Sequence, residues 1–67
     1  MVFFKVKLNG KPVGVRLKKG MSILDVMRQL GVNRETHLAR KNGRLVSELE
    51  EVDGKDRVEI FGVVYGG

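Results

Sequence analysis

The chain has 67 residues, enough for one small domain and no second core. It contains no cysteine, so disulfides, thiolate metal sites and cysteine nucleophiles are excluded and packing must supply the stability. Its net charge of +5, from 13 Lys and Arg against 8 Asp and Glu, is unevenly spread. Residues 5–19 hold six basic side chains and no acidic one, whereas residues 48–59 hold six acidic and two basic ones. Such a basic stretch fits an RNA- or DNA-binding face, a solvated strand face or a match to an acidic protein partner. No run approaches the ~18 apolar residues of a membrane span. The start, MVFFKVKLNG, lacks an apolar run of signal-peptide length. A soluble, cytoplasmic protein is expected.

VFFKVKL alternates, with Val2, Phe4, Val6 and Leu8 on one side and Phe3, Lys5 and Lys7 on the other. Period 2 predicts a half-buried strand. Asn9 and Gly10 make a hairpin turn, and Pro12 stands at the start of a second strand carrying Val13, Val15 and Leu17. Ser22 with Asp25 three residues on marks a helix start. Ile23, Val26, Met27 and Leu30 form its apolar stripe, widened by Leu24. Gly31 and Val32 predict a Schellman-type stop after about two turns. HLARK and RLV, separated by Asn42 and Gly43, read as a short second hairpin. SELEEV reads as a turn of helix or 3₁₀ structure anchored by Leu49 and Val52. Asp53 and Gly54 turn the chain into a last strand, RVEIFGVV, with Val58 and Ile60 inward. The order β-β-α-β-β-β, with one helix able to cover one sheet face, predicts an α+β roll.

Nine glycines, about twice the usual ~7 %, each invite a reason. Gly10, Gly43 and Gly54 fall in turns, Gly31 ends the helix, Gly20 lies in a connection, and Gly14 and Gly62 interrupt strands. Only Gly66 and Gly67 have no architectural role. Two terminal residues without Cβ atoms can enter a narrow channel and leave a carboxylate open to attack. A carboxylate is a poor electrophile until AMP transfer makes it a mixed anhydride. Residues 63–67, extended, span about 17 Å, enough to reach into a partner's active site. A trimmed or merely flexible end is the bland alternative.

VDGKDRVEIFGVVYGG resembles the C-terminal portion of the ThiS/MoaD sulfur carriers and of the small archaeal modifier proteins. Asp53, Gly54, Asp56, Val58, Ile60, Phe61, Val63, Val64, Gly66 and Gly67 fit the family's DG-D-hydrophobic-F-hydrophobic-GG pattern. GMSILDVMRQLGV resembles its helix and KNGRLV its middle hairpin. The resemblance implies a β-grasp, ubiquitin-like roll: a mixed four- to five-stranded sheet with one helix on one face. Residues 1–64 would form this domain and residues 65–67 a flexible tail. It further implies a separate ubiquitin-activating-type enzyme that uses ATP to adenylate Gly67; the chain itself binds no cofactor. A sulfur donor then converts the carboxylate to a thiocarboxylate, for thiazole, pterin or tRNA thiolation. In the modifier branch a target lysine attacks instead and an isopeptide forms. Tyr65, beside Gly66 in the tail, stands where many ThiS and MoaD members carry alanine. Its bulk points to a wide or aromatic-tolerant channel mouth and favours the modifier-like branch.

In a β-grasp sheet the first and last strands are parallel neighbours, so Phe3 and Phe61, both on outward parity, would share one exposed patch. Together with Val63 and Val64 they are the candidate docking residues for the activating enzyme. An alternation slip near Gly62, or a covering loop, is the competing account. His37 stands alone, without the second ligand a zinc site needs. Ser22 and Asp25 are helix punctuation, and Glu48, Glu50 and Glu51 a solvated turn. No enzyme is expected. The competing class is a small basic nucleic-acid-binding domain, with Phe3 stacking on a base. It would bind salt-sensitively and survive loss of Gly66 and Gly67.

Overall fold

The first strand, β1 (Phe3–Leu8), buries Phe4 and Val6 and exposes Phe3, Lys5 and Lys7, as its alternation requires. The computed structural model of the chain describes residues 3–63. Expectations for Val2, Val64, Tyr65, Gly66 and Gly67, and with them the division into residues 1–64 and 65–67, fall wholly or partly outside those residues. Asn9 (φ 50°) and Gly10 (φ 82°) both adopt left-handed conformations, the signature of a two-residue type I′ turn. They return the chain as β2 (Lys11–Arg16), antiparallel to β1 with Phe4 opposite Val15 and Val6 opposite Val13.

β2 is an edge strand. The side-chain amide of Gln29 sits against it, donating to the Arg16 carbonyl and accepting from the Arg16 N–H, each at 2.8 Å. This amide takes the place a neighbouring strand's peptide group would fill. Alternate residues of a strand point their backbone groups the same way, so Pro12 presents its missing N–H to the same open side.

Helix α1 (Ile23–Leu30) begins with a capping box: the Asp25 N–H donates to Ser22 Oγ and the Ser22 N–H to Asp25 Oδ2. The Ser22 backbone N–H, then the Ser22 hydroxyl, hold the Asp25 carboxyl below its ordinary pKa. The helix ends as expected. Gly31 adopts φ 72°, its N–H donating to the Arg28 carbonyl and that of Val32 to the Met27 carbonyl, the paired bonds of a Schellman motif.

β3 (His37–Lys41) and β4 (Arg44–Val46) form the second hairpin, and β5 (Val58–Gly62) completes a five-stranded sheet of order β2-β1-β5-β3-β4. β5 lies parallel to β1 and antiparallel to β3. The core between the sheet and α1 holds Phe4, Val6, Val15, Ile23, Val26, Met27, Ala39, Val58 and Ile60, with Met21 and Val52 closing one end. Among the described residues no polar side chain is buried, and no helix is long and apolar enough to cross a membrane. This is the β-grasp arrangement.

Residues 47–50 make the expected single turn, the Glu50 N–H donating to the Ser47 carbonyl at 3.0 Å. The carbonyls of Glu48 and Glu50 accept from the Leu24 and Ile23 N–H groups, both at 2.9 Å. The segment therefore docks on the start of α1, satisfying donors a helix leaves unpaired there. Val52 is buried, but Leu49, between the two bonded carbonyls, points away and is 77 % exposed. Only Val52 anchors. At the next turn, an added Cβ on Gly54 would lie 3.3 Å from Leu17 Cδ2, so a side chain there requires Leu17 to give by a few tenths of an ångström. Asp56 fixes this turn by accepting from the Asp53 N–H and from Asn42 Nδ2 across the sheet end. The Asn42 amide, then the Asp53 N–H, hold the Asp56 carboxyl below its ordinary pKa.

Candidate functional site

The site of interest is the root of the C-terminal segment. β5 occupies the middle of the sheet, so the last described residues follow a strand paired on both sides rather than an edge strand. Both flanks grip it. On the β1 side, the Asn9 N–H donates to the Ile60 carbonyl at 2.8 Å, and Asn9 Oδ1 accepts from the Gly62 N–H at 2.9 Å. On the β3 side, the Val63 N–H donates to the Thr36 carbonyl at 2.8 Å. Asn9 thus works twice: its left-handed backbone forms the hairpin turn, and that turn aims its side chain at Gly62.

His37 faces Gly62 across the β3–β5 ladder. Its Nδ1 lies 3.0 Å from both the Asn33 carbonyl and Thr36 Oγ1, which fixes the ring beside the chain's exit. A Cβ at position 62 would stand 3.4 Å from His37 Nε2, in ordinary contact with the ring. No group of three or more metal-ligating side chains occurs among the described residues.

The sheet face opposite α1 carries the outward-parity residues. Phe61 is half-buried beneath the Arg40 guanidinium, whose central carbon lies 4.9 Å from the ring centroid, a cation–π arrangement. Leu38, directly across from Phe61, is 45 % exposed, and Leu45, across from Arg40, is 65 % exposed. They lie toward the Val63 end of β5, and Val63 itself is half-buried. Phe3 is 67 % exposed on the same face but does not join them. The β1–β5 register pairs Val6 with Val58 and Leu8 with Ile60, which sets Phe3 six positions from the level of Phe61. At ~3.3 Å per residue the rings are about 20 Å apart. The single Phe3–Phe61 patch is therefore corrected: neither a strand slip nor a covering loop separates them, but the register of the parallel pair. Phe3 instead lies near Gly14, an added Cβ there meeting Phe3 Cδ1 at 3.8 Å.

Sequence reasoning missed Asn9, Leu38, Arg40 and Leu45. The inward alanine of HLARK puts Leu38 and Arg40 outward, a signal that was available. The clamp by Asn9 had none, because Asn followed by Gly is fully explained by the turn. Of the expected docking residues, Phe61 and Val63 lie beside the exit and Phe3 does not; Val64, Tyr65, Gly66 and Gly67 lie outside the described residues.

The ThiS family model matches residues 6–67. That span covers the second half of β1, every other element and the final two glycines. With sheet order, helix placement and family match in agreement from Val6 onward, the chain belongs to the ThiS family, the ubiquitin-like β-grasp sulfur carriers that work with adenylating and sulfur-transfer partners.

Proposed function

We infer that the reactive group is the Gly67 carboxylate. A carboxylate oxygen attacks the α-phosphorus of ATP in the partner's site, pyrophosphate leaves, and an acyl-adenylate forms. Sulfide displaces AMP directly to give the thiocarboxylate. A persulfide gives an acyl disulfide, which a second thiol of the donor must cleave to leave sulfur on Gly67. Delivery to a thiazole, a pterin or a tRNA base follows in a separate acceptor enzyme. The chain contributes no catalytic side chain and is the partner enzymes' substrate, holding no cofactor or metal of its own.

One observation carries this reading: the family match runs through Gly66 and Gly67, on a strand whose last described residues are held from both sides. Four residues beyond Val63, extended, reach about 14 Å. Phe61, Val63, Leu38 and Leu45, with Val64 and Tyr65 following, are the docking residues assigned to the mouth of the activating enzyme. Tyr65 favours a second reading, in which a target lysine amine attacks the acyl-adenylate carbonyl, AMP leaves and an isopeptide forms.

Intact-mass measurement tests it. Protein incubated with ATP, its organism's activating enzyme and a sulfur source is expected to exchange oxygen for sulfur at Gly67. An isopeptide-linked peptide ending in Gly-Gly would move the assignment to the modifier branch. Full sulfur-transfer activity in a folded variant lacking Gly66 and Gly67 refutes both.

A further inference from the structure

The open sheet face divides into an apolar end, at the chain's exit, and a cationic end. Reading directly across β1, β5 and β3, Lys7, Glu59 and Arg40 form one row. The next row away from the exit places Lys5 beside the position of Arg57, and the row beyond pairs Phe3 with Arg16. A shallow groove of about 340 Å3 runs along this end, lined by Lys5, Lys7 and Arg57 together with Asp56 and Glu59. Asp56 is already engaged by Asn42 and the Asp53 N–H.

The ion pairs among the described residues all lie elsewhere. They join Arg28 to Asp25, Arg34 to Glu48 and Lys41 to Glu50, three of the eight side-chain carboxylates. Lys5, Lys7, Arg16, Arg40 and Arg57 enter none of them. Unpaired cations of one sign on an open face create a field that a partner must match.

We propose that this cationic end docks onto a carboxylate-bearing surface of the activating enzyme, its Lys5 and Arg57 row meeting carboxylates about 13 Å from the apolar socket that receives Phe61 and Leu38. This rests on the carrier reading above. The apolar end supplies the buried contact beside the channel. The cations steer the encounter and fix the orientation in which the C-terminal segment enters. The pattern fits a protein better than a nucleic acid. Glu59 interrupts the cations in the middle of the face, where a phosphate backbone would be repelled, and Arg40 covers the Phe61 ring on which a base would stack.

The test is the steady-state adenylation of this protein by its organism's activating enzyme, followed by pyrophosphate release. Two double variants carry the same change in net charge: Lys5→Glu with Arg57→Glu on the groove, and Lys18→Glu with Lys19→Glu on the helix side. The groove pair is expected to raise KM for the carrier on the order of tenfold at low salt, with kcat at saturation retained. The helix-side pair should stay within about twofold of wild type, and Glu59→Gln should lower KM. Wild-type KM should climb with added salt and lose most of that dependence in the groove pair. Circular dichroism confirms that each variant folds. Equal effects of the two pairs, or none from either, overturn the proposal and leave the carrier reading standing. No adenylation of wild type at any concentration overturns both. Micromolar or tighter binding of a ~20-nucleotide single-stranded RNA at about 150 mM salt, lost in the groove pair, overturns it in favour of a nucleic-acid face.

Discussion

Replacing Asn9 by alanine removes two contributions that separate variants can resolve. The backbone at this position has φ 50°, which Asn tolerates and Ala does not, at a cost of about 1 kcal/mol. The Gly62 N–H also loses its 2.9 Å acceptor, a solvent-accessible bond worth about 0.5–1 kcal/mol. Asn9→Ala should therefore cost about 2 kcal/mol. Asn9→Gly, which accepts the left-handed backbone and lacks only the side-chain oxygen, should cost less than half of that. Asn9→Asp keeps both features and should stay within about 0.5 kcal/mol. For a domain of this size each kcal/mol moves Tm by roughly 4–8 °C, so calorimetry separates alanine, at about 8–16 °C, from glycine. Amide exchange at Gly62 supplies the local readout, with protection kept by aspartate and lost in both alanine and glycine variants. Equal Tm losses for Ala and Gly, or unchanged Gly62 exchange, would refute the clamp.

Ile60, 1 % exposed on the central strand, should cost about 2–5 kcal/mol as alanine, read from the urea midpoint. Gly31→Ala meets no atom within 4 Å and should lose about 1 kcal/mol from backbone strain alone, with the helix retained by circular dichroism. Leu49→Ser should change stability by no more than about 0.5 kcal/mol, whereas Val52→Ala should cost about 2 kcal/mol; thermal melts distinguish them. The Asp56 carboxyl has a lowered pKa in the folded state. Its stabilisation is present in full above the unfolded value near 3.8 and disappears as pH falls through the lower, folded value. Urea titrations between pH 5 and about pH 2 should show a shallower loss in Asp56→Asn than in wild type.

The local grammar of the fold was legible because each signal is short-range. Alternation along β1, two Asn-Gly turns, the Ser22 and Asp25 capping box and the Gly31 stop all appear where the sequence places them. In residues 47–52 the turn was legible, but its docking on the unpaired N–H groups of Ile23 and Leu24 answers a distant demand and was not. Phe3 and Phe61 were joined for a similar reason: parity is read from one strand, but longitudinal register is a property of the pair. The same limit hid the Asn9 side chain, whose partner lies 53 positions along the chain.

The parallel pairing of β1 with β5 has a mechanical consequence. A partner enzyme that draws on Val63 pulls along the strand axis, and the load falls in shear on the ladders to β1 and β3 together. Peeling an edge strand would break its bonds one after another; here they must yield as a set. A pull on the end of β5 therefore has to overcome both ladders before the roll opens.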